Sequence, residues 1–172
     1  AGRARLHLVQ AGNHRILIFN NAATLANGAN ADNVLGQATF TSGLGADPPT
    51  VSSFNFPNSM FIDNASNQIW VADAGNNRVV RFDVNDITFT INMPAGGVLG
   101  QTNFVLKTTG KTANTMNNAF GVAVDPTTGK LFVADRNNNR VLRFSATSKL
   151  TTGAAAEAVL GQPDDTTNTS GV

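Results

Sequence analysis

With 172 residues and 41% apolar content, the chain is long enough to bury a sizeable core. Its formal charge of +1 and its 13% of charged residues argue against a dedicated nucleic-acid binder, which needs a concentrated basic face. The absence of cysteine excludes disulfides, thiol catalysis and zinc–thiolate sites, and no apolar run reaches bilayer-spanning length.

The start, Ala1-Gly2-Arg3-Ala4-Arg5, has neither a methionine nor an apolar signal core, as expected of a processed or truncated N-terminus. Few lysines and many Asn and Thr residues favour an extracellular or secreted protein. Leu6–Val9 and Ile16–Phe19 are two strand-like runs parted by the turn formers Gly12-Asn13-His14, which predicts a hairpin. A polar loop follows, and then Val34-Leu35-Gly36-Gln37.

From here the chain repeats itself. Val71-Ala72-Asp73-Ala74-Gly75-Asn76-Asn77-Arg78-Val79-Val80-Arg81-Phe82 returns as Val133-Ala134-Asp135-Arg136-Asn137-Asn138-Asn139-Arg140-Val141-Leu142-Arg143-Phe144. A diverged copy runs from Leu8 to Phe19, with Gln10 where the others have Asp. Arg15, Arg78 and Arg140 are spaced by 63 and then 62 residues. The Val-Leu-Gly-Gln element keeps nearly the same period, with its glycines at Gly36, Gly100 and Gly161. A fixed period of this size marks stacked supersecondary units.

In the second and third copies an extra strand precedes the shared motif. Met60/Ile62 and Ile69/Val71 share faces by period two, as do Val122/Val124 and Leu131/Val133. Each full copy therefore predicts four short antiparallel strands, the blade of a β-propeller. The fold class expected is all-β, with about two and three-quarter blades. Residues 1–43 form an incomplete first blade of three strands, 44–107 the second, and 108–172 the third with a polar tail.

Phe120–Phe144 and Met60–Phe82 resemble NHL repeats, and Leu6–Phe19 resembles the later part of a third. The Val-Leu-Gly-Gln-x-x-Phe element, with Phe40 and Phe104, is similar to long-repeat bacterial members of that family. Asp165 stands where the third copy should have Phe, which predicts a looser outer edge there. The resemblance implies a propeller of a family that mostly binds proteins, peptides, glycans or RNA, with a few enzymatic relatives.

A device needed once per blade repeats once per blade, whereas a catalytic site is needed once per protein. Asp73 and Asp135 are therefore expected to accept N–H groups exposed by the following turn. Asn77 and Asn139 are expected in its left-handed position. Arg15, Arg78 and Arg140 are expected to reach a carboxylate or carbonyl of the adjoining blade. His7 replaces Trp70 and Phe132, and His14 replaces Asn77 and Asn139, so both fill repeat positions rather than a metal site. Arg81 and Arg143 read as solvated strand positions, because Ile18 takes that place in the first copy. No catalytic residue, metal ligand or cofactor is assigned. Asn64 and Asn168 fit the glycosylation acceptor pattern.

Three partial blades fall short of the roughly four to eight that close a propeller. The expected partners are further copies of this chain or the rest of a longer propeller, with a protein or glycan ligand and neither nucleic acid nor membrane. Leu6, Leu8, Ile16 and Ile18 are the candidate self-association edge. The expected role is a non-catalytic module for binding or self-assembly, as a ring or a fibre. The alternatives are a lyase- or lactonase-like propeller with a metal such as calcium in its channel, near Asp63 and Asp125, and an RNA-binding NHL domain.

Overall fold

The computed structural model describes residues 5–84 and 89–170. Among these residues there are eleven β-strands, five one-turn 3-10 helices and no α-helix. The first sheet holds β1 (Arg5–Gln10), β2 (Arg15–Asn20) and β3 (Asn33–Leu35). The second holds β4 (Pro57–Asp63), β5 (Gln68–Asp73), β6 (Arg78–Asp83) and β7 (Gly97–Leu99). The third holds β8 (Ala119–Val124), β9 (Leu131–Asp135), β10 (Arg140–Phe144) and β11 (Ala158–Leu160). Within each sheet the strands pair antiparallel in chain order, as in propeller blades.

Because side chains alternate across a strand, every sheet has two apolar faces. Ile69, Val71, Val80, Phe82 and Val98 of the second sheet pack against Ile16, Ile18 and Leu35 of the first. Its opposite face, with Trp70, Ala72, Val79 and Leu99, packs against Val122, Val124, Leu131, Val133, Leu142 and Phe144 of the third. Two apolar layers thus lie between three sheets. Both four-stranded blades carry the same irregularity, a register shift at Pro57/Ser59 and at Ala119/Gly121.

The tight turns are also copies of one another. A 3-10 turn and a left-handed residue join β1 to β2, β5 to β6, and β9 to β10; those residues are His14, Asn77 and Asn139, with φ of 51°, 53° and 51°. Asn and His are among the few side chains that adopt this conformation with any frequency.

Two expectations need correction. Ile16 and Ile18 do not lie on an edge: β2 is the middle strand of its sheet, and both side chains are fully buried against the second blade. The period-two alternation turns Leu6 and Leu8 to the opposite face, where they remain exposed. The arginines also differ from expectation: Arg78 and Arg140 pair with Asp73 and Asp135 of their own blades, and Arg15 with the Gln10 amide oxygen of its own.

Candidate functional site

Asp73 sits at the end of β5, fully buried, and its carboxylate is shared three ways. Oδ1 accepts from the Asn55 N–H at 2.7 Å, and Oδ2 accepts from the Asn76 amide and from Arg78 Nε, each at 2.8 Å. Asp135 does the same with the Asn117 N–H, Asn138 and Arg140, at 2.7, 2.8 and 2.8 Å. The N–H groups bonded belong to the segments entering β4 and β8, not to the following turns, so the carboxylate fastens the incoming chain. Burial pushes the Asp73 carboxyl upward, against the opposing pull of Arg78, the Asn55 N–H and Asn76.

The remaining guanidinium donors of Arg78 go to the carbonyls of Thr50, Ser53 and Phe104. Those of Arg140 go to Lys111, Thr112, Thr115 and Asp165, at 2.6–3.0 Å. Each arginine ties both the incoming and the outgoing linker to its blade. Asp165 lacks the aromatic ring of Phe40 and Phe104 but offers its carbonyl to Arg140 as they do to Arg15 and Arg78. In the first blade Arg15 bonds Gln10 Oε1 at 2.6 Å, so the diverged copy keeps the clamp with a neutral acceptor.

Next comes a glutamine clip, whose role the repeated motif did not reveal. Gln37, Gln101 and Gln162 each donate to the carbonyl of the left-handed residue (His14, Asn77 and Asn139) and to a linker carbonyl seven residues on. The glycine before each has φ between 83° and 87°. A Cβ on Gly36 would fall 2.1 Å from the Phe54 ring, and one on Gly100 would fall 2.8 Å from Met116 Sδ. At Gly161 the nearest atom is the Asn139 carbonyl oxygen at 3.4 Å, so no side chain among the described residues lies against it as Phe54 and Met116 do. His14 takes over the Asn77 role as well: its Nδ1 accepts from the Phe56 N–H at 2.9 Å, as Asn77 Oδ1 accepts from Asn118 at 2.8 Å. Asn139 donates to the Asn168 carbonyl.

A groove of about 240 Å³ opens between the second and third blades, lined by Asp63, Ser66, Gln68, Asp125, Lys149 and Leu150 among others. Lys149 is only 5% exposed, and its ammonium lies 3.4 Å from Asp63 Oδ2 and 5.6 Å from the Trp70 ring centroid. Sequence reasoning missed Lys149, because Thr24 holds the matching place in the first copy and no periodic signal marks it. The carboxylates of Asp63 and Asp125 close their own hairpin turns. Asp63 accepts from the Ala65 and Ser66 N–H groups and the Ser66 hydroxyl, and Asp125 from Thr127 N–H and the Thr128 hydroxyl. Partial burial raises the Asp63 carboxyl, but the Ser66 hydroxyl and Lys149 outweigh it and leave it below its ordinary value. Among the described residues no group of three or more His, Asp or Glu side chains is placed to hold a metal ion.

The basic strand positions are engaged. Arg81 pairs with Asp83, and Arg143 with Glu157. His7 lies in the first interface, edge-on to Phe89, and neither ring nitrogen has a hydrogen-bond partner among the described residues. Burial, and then the Arg5 charge, lower its pKa and hold it neutral. Asn64 and Asn168 are exposed.

The end faces are apolar. The first sheet turns Leu6, Leu8, Leu17 and Phe19 away from the second blade, and the third turns Phe132, Ala134, Val141 and Leu160 away from it. The fold and this recurring clamp define a segment of a β-propeller built from blades that lock through Asp, Arg and Gln. The family model for the NHL repeat matches residues 54–82 and 117–144. The chain carries NHL repeats in these two blades.

A comparison with curated proteins gives no match. Similar solved structures include a Bacteroides uniformis protein assigned as a 6-phosphogluconolactonase, 12% identical with a TM-score of 0.49, over 88% of this chain and 40% of that one. A luciferin-regenerating enzyme is 15% identical with a TM-score of 0.43, over 96% of this chain and 60% of that one. The chain thus spans about half the length of these two proteins, and likeness at this level carries no argument about activity.

Proposed function

We propose that this chain is a non-catalytic NHL-type propeller module for binding or self-assembly, acting through the open faces of its end blades. It would work as part of an oligomeric ring or fibre, or within a longer propeller. One observation carries this reading. Leu6 and Leu8 are 52% and 43% exposed, whereas the matching Ile69 and Val71 of the second blade are 1% and 0% exposed. Covering the remainder of each leucine would contribute roughly 1 kcal/mol, about half of a full apolar side-chain burial. An apolar sheet face of this kind marks an interaction surface. The non-catalytic part is supported by the repeated Asp, Arg and Gln residues, which are committed to holding the blades and linkers.

Native mass, measured by light scattering across a range of concentrations, tests this. A mass that rises to a multiple of the monomer supports assembly through the end faces, and a monomer at every concentration overturns assembly and leaves the place within a longer propeller. Divalent metal retained stoichiometrically through dialysis, together with hydrolysis of a lactone, would replace the non-catalytic reading with an enzymatic one. Salt-sensitive binding to single-stranded RNA would replace it with an RNA-binding one.

A further inference from the structure

Building on the proposed role of the end faces, we infer that their partner is a second copy of this chain, docked head to tail. The front of one first blade seats on the back of the other copy's third blade. Three independent features of the chain's own blade junctions carry this inference.

First, the loop that docks at both internal junctions recurs in the first blade, where no described residue lies against it. Asn92, left-handed at φ 56°, donates its N–H to the Val34 carbonyl of the preceding blade at 2.9 Å. Gly153, left-handed at φ 73°, does the same to Val98, also at 2.9 Å. Each stands six residues before the central valine of its own outer strand, Val98 and Val159. Gly28 stands six residues before Val34, with φ 78°, and a Cβ placed on it would meet nothing within 4 Å. The matching acceptor is the Val159 carbonyl on β11, at the outer edge of the third blade.

Second, the two open faces reproduce an interface already inside the chain. At the junction of the second and third blades, Trp70, Ala72, Val79, Arg81 and Leu99 stand on one sheet's back face. The third blade's back face has Phe132, Ala134, Val141, Arg143 and Leu160 at the same positions. That junction meets Leu131, Val133, Leu142 and Phe144; the open front of the first blade offers Leu6, Leu8, Leu17 and Phe19 in their places.

Third, Arg81 reaches across the junction and donates to the Leu150 carbonyl at 2.8 Å. Arg143 is its counterpart on the back face, and Leu25 is the counterpart of Leu150 in the first blade's loop. A head-to-tail contact is heterologous and must close into a ring or grow into a fibre. Two copies supply six sheets, within the range of roughly four to eight blades that close a propeller.

The test uses one variant per face, at side chains exposed enough to leave the fold intact: Leu8→Glu on the front and Leu160→Glu on the back, which are 43% and 44% exposed. Each variant alone should assemble only at concentrations about thirtyfold or more above wild type, because the interface would bury an unpaired carboxylate. Mixed together, each retains one intact face, so titration calorimetry should give a 1:1 complex. Leu6→Lys and Arg143→Gln form a second pair if either first variant loses its native circular dichroism. A wild type that assembles while either variant still assembles equally well, or a mixture that does not bind, overturns the head-to-tail register and leaves the assembly reading standing. A wild type that is monomeric throughout overturns both.

Discussion

Arg140 directs its guanidinium to one buried carboxylate and four backbone carbonyls, drawn from the segments on either side of its blade. Neither Arg140 nor Asp135 has an accessible side chain. Removing one member of such a pair strands the other charge in a low-dielectric interior. Arg140→Met is therefore expected to cost about 3–5 kcal/mol in urea unfolding, and Arg15→Met, whose acceptor Gln10 is neutral, nearer to about 1 kcal/mol. If the two losses are equal, the carboxylate is not what makes the clamp strong. At the other extreme lies Asp164, exposed in the tail. Hydrogen bonds from Thr166, and then Thr167, lower its pKa to about 2. A depressed carboxylate adds stability above its unfolded value near about 3.9 and loses it as the pH falls through the folded value. The melting-temperature difference between wild type and Asp164→Asn should therefore be present at pH 6 and vanish towards pH 2.

Among the elements, the outer strands show most clearly how one motif serves two ends. Gly36, Gly100 and Gly161 share a left-handed backbone, yet only the first two lie beneath a plug, Phe54 and Met116. Gly100→Ala is expected to combine left-handed strain of about 1–2 kcal/mol with overpacking of about 1–3 kcal/mol. Gly161→Ala should show the strain alone. Chemical denaturation of the two variants measures the difference directly, and equal losses would mean that the Met116 contact yields without cost. The strands themselves were readable in the sequence, because alternation at Ile69/Val71 and Leu131/Val133 has only one regular solution. The partners of Asp73 and Asp135 were not. A carboxylate before a turn has local N–H groups within reach, and only the folded path of the linker brings the Asn55 and Asn117 N–H groups closer.

For the whole molecule, two buried layers lie between the three sheets, while the outer faces of the first and third leave Leu6, Leu8 and Leu160 exposed. Under the proposed assembly through those faces, mass action should make the melting temperature of the wild type rise with protein concentration. That of Leu8→Glu should stay flat over the same range. A concentration-independent wild type would mean that the faces tolerate water. The exposed edge read from sequence mixed two surfaces: Ile16 and Ile18 belong to the first internal layer, and Leu6 and Leu8 to the outer one.

The repeat period, the antiparallel four-strand unit and the family resemblance follow from the sequence alone, because periodic side chains and turn formers are local properties of the chain. Tertiary structure decided which face of each blade is covered, which acceptors the arginines take, and that Lys149 closes on Asp63 from 86 residues away. It also left Gly28, with φ 78°, where an added Cβ would meet no described atom within 4 Å. These depend on how one blade stacks on the next, and the same alternating pattern is written on both faces of every strand.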